Sequence, residues 1–346
     1  MMTRRFVTRC AGSILAMLGC HTPGIARDEL PEQTIAFIYH SEGEARQRAE
    51  SASAPAAPGP VGASGRRGVA DLNALHDFLD DTFGSASNIE FEGRLALLNP
   101  RDNQLTVLES ARKGAIPQDW SADRNRLLFA QKDSQTFQLY EFDRRSRSVS
   151  RLTRGPDRHP QGCYGPDGRL VVVVERIEAS ESAENQRRLV SRIGVAGPGN
   201  EIEIISAGPI DADPSCAPDG TAVAYVRFLS WGRSEIWVHH FADGDLARGI
   251  TRGRDPTFAP NSEWIVYSQR VDDKPTLWRI RRDGAGRSRL GRGSGTDEYG
   301  PAVSPDGSMV VYESVLENRY RLFLRRFDGT GDRVLFSDGD GTHAVW

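Results

Sequence analysis

The sequence predicts an all-β ring built from repeated four-stranded units, and three observations carry that reading. A short turn motif returns along the chain: "WSADRNRLLFA" from Trp120, "YGPDGRLVVVV" from Tyr164, "CAPDGTAVAYV" from Cys216, "FAPNSEWIVYS" from Phe258 and "VSPDGSMVVYE" from Val303. The copies lie roughly 40–50 residues apart, a spacing that suits units of short strands. The runs between the turns are β-branched and aromatic, without the 3.6-residue stripe that helical repeats of this size would show. Such a ring is a β-propeller, and the ends of the chain, read below, bring the count to six blades.

Within a unit the first element is an apolar or aromatic anchor that closes the innermost strand. The turn follows, with Pro early and Asp-Gly or Asn-Ser after it. Proline presets φ and glycine accepts positive φ, so the pair makes a tight hairpin. The second strand is β-branched ("RLVVVVER", "EWIVYSQR", "SMVVYESV"), and the third is amphipathic ("FQLYEFD", "SEIWVHHF", "YRLFLRRF"). The fourth is more polar ("SRLTRG", "LARGITRG"), as befits a solvent-facing edge.

The last residues, "GTHAVW", match the segment before each turn, and Trp346 stands where Val303 stands. The rest of that blade is at the other end of the chain: "TIAFIYHS" (34–41) as second strand, "GRLALLNP" (93–100) as third and "QLTVLES" (104–110) as fourth. The expected fold is therefore a six-bladed β-propeller over 34–346, closed by pairing the C-terminal strand into the N-terminal blade. Closure of this kind removes exposed sheet edges.

The turn and the strand that follows it resemble the WD40-like propeller repeats of the TolB family, over about residues 34–346. The resemblance implies a non-catalytic periplasmic propeller that binds or scaffolds a protein partner at the cell envelope. TolB carries a separate α/β domain before its propeller, and the first strand here follows the leader too soon to leave room for one.

That leader, residues 1–26, reads as an export signal: Arg4, Arg5 and Arg9, then the short apolar run "AGSILAML". Cleavage before Cys20 in "LAMLGC", a lipoprotein-type site, makes Cys20 the lipidation residue and anchors the protein to a membrane. Cleavage after Ala26 makes it a soluble periplasmic protein. A net charge of −3 gives no basic surface for nucleic acid, and a monomer is expected.

Residues 42–92 interrupt the first blade. The first part, 42–68, is rich in Ala, Ser, Pro and Gly and is expected to be flexible. Residues 69–83 fit a helix with an apolar stripe that includes Leu72, Leu75, Phe78 and Phe83. These four are the candidate partner-binding residues.

No catalytic motif is present: there is no GxSxG, HExxH, P-loop or CxxC. The third residue before each anchor (Pro117, Gln161, Asp213, Asp255, Gly300, His343) should lie near the channel mouth, with His159, Asp211, Asp297 and Glu298 close by. His159, Asp213, Asp255 and His343 are the candidate ligand groups. His and carboxylate together suit a cation, whereas acidic residues before proline also cap backbone N–H groups. No cofactor is expected beyond such a cation. If it is bound, the alternative function is a metal-dependent enzyme acting on a saccharide or peptide at the channel mouth. Cys163 and Cys216 fall on adjacent inner strands and are expected as two separate buried residues, because a disulfide needs Cα atoms within about 7 Å.

Overall fold

The computed structural model describes residues 34–41, 93–133, 136–179, 187–199, 201–230, 233–242, 247–272, 274–290, 297–316, 319–336 and 339–346. The leader with Cys20, and the 42–92 insertion with Leu72, Leu75, Phe78 and Phe83, lie outside these residues. Among the described residues no helix is long and apolar enough to cross a membrane.

The chain begins with β1 (Ile35–His40), β2 (Arg94–Asn99) and β3 (Gln104–Val107), followed by β4 (Ile116–Trp120), β5 (Arg126–Lys132), β6 (Phe137–Asp143) and β7 (Ser148–Arg151). Next come β8 (Gly162–Tyr164), β9 (Leu170–Ala179), β10 (Arg187–Ala196) and β11 (Ile202–Ile204), then β12 (Ile210–Cys216), β13 (Ala222–Ser230), β14 (Arg233–His240) and β15 (Ala247–Arg252). The last units are β16 (Arg254–Phe258), β17 (Trp264–Val271), β18 (Lys274–Arg281) and β19 (Ser288–Arg289), then β20 (Tyr299–Val303), β21 (Met309–Leu316), β22 (Arg319–Arg326) and β23 (Asp332–Val334), with β24 (Asp340–Val345) at the end.

The strands form an all-β propeller. Separate four-stranded sheets are β4-β5-β6-β7, β16-β17-β18-β19, β20-β21-β22-β23 and β24-β1-β2-β3. The expectation of six separate blades is corrected at one place. The units β8–β11 and β12–β15 are joined into a single eight-stranded sheet by one parallel bridge, Ser191 to Ile210. That bridge forms because the Ser191 hydroxyl donates to the Asp211 carbonyl at 2.8 Å, drawing the edge of β10 onto the start of β12. In the sheet that holds both chain ends, β1 pairs antiparallel with β24, Ala36 opposite Val345 and His40 opposite Asp340.

The turn motif behaves as its residues dictate. Gly220 N–H donates to Ala217 O at 2.8 Å, Ser262 to Ala259 at 2.9 Å and Gly307 to Ser304 at 2.8 Å. Each of these donors sits at positive φ. The acid or amide before it caps the way out: Asp219 Oδ1 accepts from Thr221 N–H, Asn261 Oδ1 from Glu263 N–H and Asp306 Oδ1 from Ser308 N–H.

Apolar cores lie between consecutive units. Leu128 and Leu139 pack with Val172 and Val174, Val171 and Ile193 with Val223 and Tyr225, and Ile236 and Val238 with Ile265 and Ile280. Val266 and Leu277 then meet Val310 and Tyr312. Ile35, Phe37 and Leu98 meet Val311, Leu322 and Trp346, and Ala36 and Leu95 meet Leu127 and Phe129. The first and last described strands thus share one core as well as one sheet.

Candidate functional site

The inner strands β4, β8, β12, β16, β20 and β24 surround a cavity of about 1020 Å3. The first five end at the turn, and β12, β16 and β20 are also interrupted by an irregularity within the strand. Registers shift between Ala212 and Ser215, between Arg254 and Thr257 and between Tyr299 and Ala302. At these irregularities, and at the matching place in β24, Asp213, Asp255, Gly300 and His343 take φ values of 51, 50, 49 and 53°. A left-handed residue turns its N–H out of its own ladder, so each must find a partner elsewhere.

The partner comes from a neighbouring unit. Asp213 N–H donates to Gln161 Oε1 at 2.9 Å, and the Gln161 amide donates back to Asp213 Oδ1. Gly300 N–H donates to Asp255 Oδ2 at 3.4 Å, and His343 N–H to Glu313 Oε1 at 2.6 Å. Related contacts complete the hub: Gly162 N–H to Gln118 Oε1 (3.3 Å), Tyr164 N–H to Asp119 Oδ2 (2.8 Å) and Phe258 N–H to Ser215 Oγ (3.0 Å). Side chains facing the channel therefore stitch the inner strands together.

This placement changes their acidity. Burial, reinforced by the neighbouring Asp255 charge and opposed by the Gln161 hydrogen bond, pushes Asp213 up to about 7. Burial raises Glu313 to about 8, with the His343 N–H working against it and the Asp255 charge adding to it. Asp119 is raised by burial to about 6, and His343 is pushed down by burial to about 4. Among the described residues, one oxygen of Asp213, Oδ2, is buried with no hydrogen-bond partner.

Of the residues singled out from sequence, Pro117, Gln161, Asp213, Asp255, Gly300 and His343 all line the cavity. His159 does not belong with them. Its buried ring contacts the Val173 carbonyl through Nδ1 at 3.0 Å, because Arg158 bridges to Glu175 and carries this segment onto the edge of β9. Asp211 is taken by Arg227 at 2.8 Å, and Glu298 by the buried Arg325 at 2.7 Å. Asp297 accepts from Tyr299 Oη at 2.8 Å. Among the described residues no group of three or more His, Cys, Asp or Glu is arranged to hold a metal ion.

The expectation for the cysteines is overturned. Cys163 and Cys216 form a disulfide, with Cα atoms 5.7 Å apart. Inner strands converge at the hub of the ring, which brings β8 and β12 closer than sheet spacing between separate blades suggests. Sequence reasoning also passed over Gln118, Ser215, Ser268 and Glu313. Ser268 and Glu313 each stand ten residues after an anchor, Phe258 and Val303, but a serine and a glutamate share no residue type that would mark the position.

The chain is similar in fold to the TolB propellers. The crystal structure of TolB from Acinetobacter baumannii superposes with a TM-score of 0.62 at 15% identity, covering 90% of this chain and 66% of that one. A putative TolB from Agrobacterium tumefaciens gives a TM-score of 0.58 at 19% identity, covering 71% of this chain and 89% of that one. At these identities the likeness shows the fold alone. In sequence, an uncharacterized protein of Agrobacterium fabrum is 23% identical over 193 residues, 51% of this chain and 61% of its own length. The Tol-Pal system protein TolB of Anaeromyxobacter dehalogenans is 28% identical over 95 residues, 27% of this chain and 21% of its own length. The chain thus spans under two thirds of these curated relatives. No family model matches it.

Proposed function

We propose that the protein is an exported, non-catalytic envelope propeller that binds a protein partner at its channel. The observation that carries this reading is the use of the channel-facing polar groups. Asp119, Gln161, Ser215, Asp255 and Glu313 are engaged in holding inner strands together. They build a fixed polar surface rather than a nucleophile with its base. The likeness in fold to TolB supports the same reading. We count the ring as six blades, the eight-stranded sheet being two that touch at one bridge.

On this reading residues 1–26 direct export, with Cys20 as lipid anchor or cleavage after Ala26. The 42–92 insertion adds partner-binding surface through Leu72, Leu75, Phe78 and Phe83. Asp213, Asp255 and His343 serve as polar ligand groups within the channel. Ser41 and Gly93, which bound the insertion, stand at the end of β1 and the start of β2, on the face where the inner strands begin.

Photocrosslinking in intact cells tests this. A photoreactive residue at Gln118 or Tyr299, both lining the channel, should yield a discrete crosslinked protein. The same probe at Arg145, on the exposed turn between β6 and β7, should not. Absence of any channel-specific crosslink overturns the reading.

A further inference from the structure

Arg233, Arg252, Arg254 and Arg270 all line the channel, and the strand contacts place them in one sector of its mouth. Ser234 Oγ donates to the Gly253 carbonyl at 3.0 Å, tying the residue after Arg233 to the residue after Arg252. Arg254 Nε reaches Ser234 Oγ at 3.4 Å. Arg254 lies opposite Ser268 in the β16–β17 ladder, and Arg270, two residues further along β17, shares the face of Ser268.

Other arginines at these strand ends form ion pairs. Arg158 pairs with Glu175 at 3.2 Å, Arg176 with Asp157 at 3.3 Å, Arg227 with Asp211 at 2.8 Å and Arg319 with Asp340 at 2.8 Å. Arg233 and Arg252 are exposed and make no ion pair among the described residues. Glu235 stands opposite Arg252 in the β14–β15 ladder, and the inner-ring carboxyls are held by other groups: Asp255 by Ser268 and Gly300, Glu313 by His343, Glu298 by Arg325. Tyr299, Tyr320, Pro256 and Pro275 line the same cavity and add apolar surface to it.

We infer that this sector is the docking site for an extended peptide segment carrying several Asp or Glu residues, whose carboxylates meet the guanidinium groups at the mouth. Guanidinium binds carboxylate through two parallel hydrogen bonds, and the tyrosines and prolines of the same cavity accept the apolar side chains of such a segment. The inference rests on the protein-partner reading above and names the chemistry of the partner.

The test uses fluorescence anisotropy with a capped, fluorescein-labelled (Glu-Gly)6 peptide, its (Gln-Gly)6 counterpart and tetragalacturonate as competitor. The wild-type protein should bind the Glu peptide about tenfold more tightly than the Gln peptide, with affinity falling as salt rises. The R233Q/R252Q double variant should lose about tenfold for the Glu peptide alone. Both arginines are exposed, so an unchanged melting temperature checks that the fold is intact. Arg145→Gln with Arg147→Gln, on the outer turn, should change nothing. Equal binding of the two peptides, or an unaffected double variant, overturns the acidic assignment and leaves a peptide-binding channel. No binding of either peptide, with or without binding of tetragalacturonate, overturns both readings.

Discussion

Two junctions of the inner ring solve one problem with different chemistry. Where β8 meets β12, a left-handed Asp213 turns its N–H to Gln161, and the Cys163–Cys216 disulfide joins the same two strands. Where β24 meets its neighbour, a left-handed His343 turns its N–H to a single buried carboxyl, Glu313. The backbone requirement is the same, but one seam is fastened covalently and the other by a group that titrates. The first is sensitive to reductant and, through Asp213, to pH; the second is sensitive to pH.

The largest expected effect comes from removing the second seam altogether. Deleting 341–346 takes away most of β24, with buried Ala344 and Trp346, and uncovers Ile35 and Phe37. Large apolar side chains contribute about 1.5–3 kcal/mol each when buried, so urea denaturation should show a loss of about 5 kcal/mol or more. A midpoint within experimental error of the full-length protein would show that this seam carries little of the ring's stability.

Opening the covalent seam should have a smaller effect. Replacing Cys163 and Cys216 by serine is expected to lower stability by about 2–4 kcal/mol, with Gln161 and Asp213 still holding the strands. Reductant should lower the wild-type melting temperature and leave the double variant unchanged. If reductant affects both equally, the disulfide is not the source.

The smallest effect is the most specific. Glu313 and Asp213 have folded-state values of about 8 and 7, above those of an unfolded chain. Carboxyls raised in this way favour folding most at low pH, and that contribution is lost as pH climbs through their folded values. His343, depressed to about 4, acts in the opposite sense, but only between about pH 4 and 6.5. Stability should therefore fall by about 1–2 kcal/mol between pH 6.5 and 8.5. Glu313→Gln keeps an oxygen for the His343 N–H and should flatten that slope. The same slope in the variant would place the titration elsewhere.

Much of this architecture is legible in the sequence. Proline, Asp and Gly have local conformational meaning, so "SPDG" announces its turn wherever it stands, and "GTHAVW" matches "YGPAV" by residue type alone. The stitching is not legible in the same way. Asp119, Gln161, Ser215, Asp255 and Glu313 serve N–H groups 30–52 residues away; the offset before the anchor marks Gln161 and Asp255, but nothing local names the N–H that each one meets. His159 is misplaced by its spacing because one bridge, Arg158 to Glu175, makes a strand edge of what reads as a loop. The mouth arginines do not stand out among 44 Lys and Arg, since only the ion pairing of other arginines sets Arg233 and Arg252 apart.

The left-handed positions of the hub also bear on how the protein could be altered. Gly300 occupies one of them at φ 49°, where glycine meets no steric penalty, whereas Asp213, Asp255 and His343 adopt nearly the same angle with full side chains. For such residues the conformation costs about 1 kcal/mol each. A library selected for heat resistance alone should drift toward glycine at 343, where the backbone N–H makes the bond to Glu313, and should keep Asp213 and Asp255, whose carboxyls accept from Gln161 and Gly300. A library selected for capture of the ligand should hold the side chains in place, and the divergence of the two populations would map, residue by residue, where folding and recognition make opposing demands on one backbone.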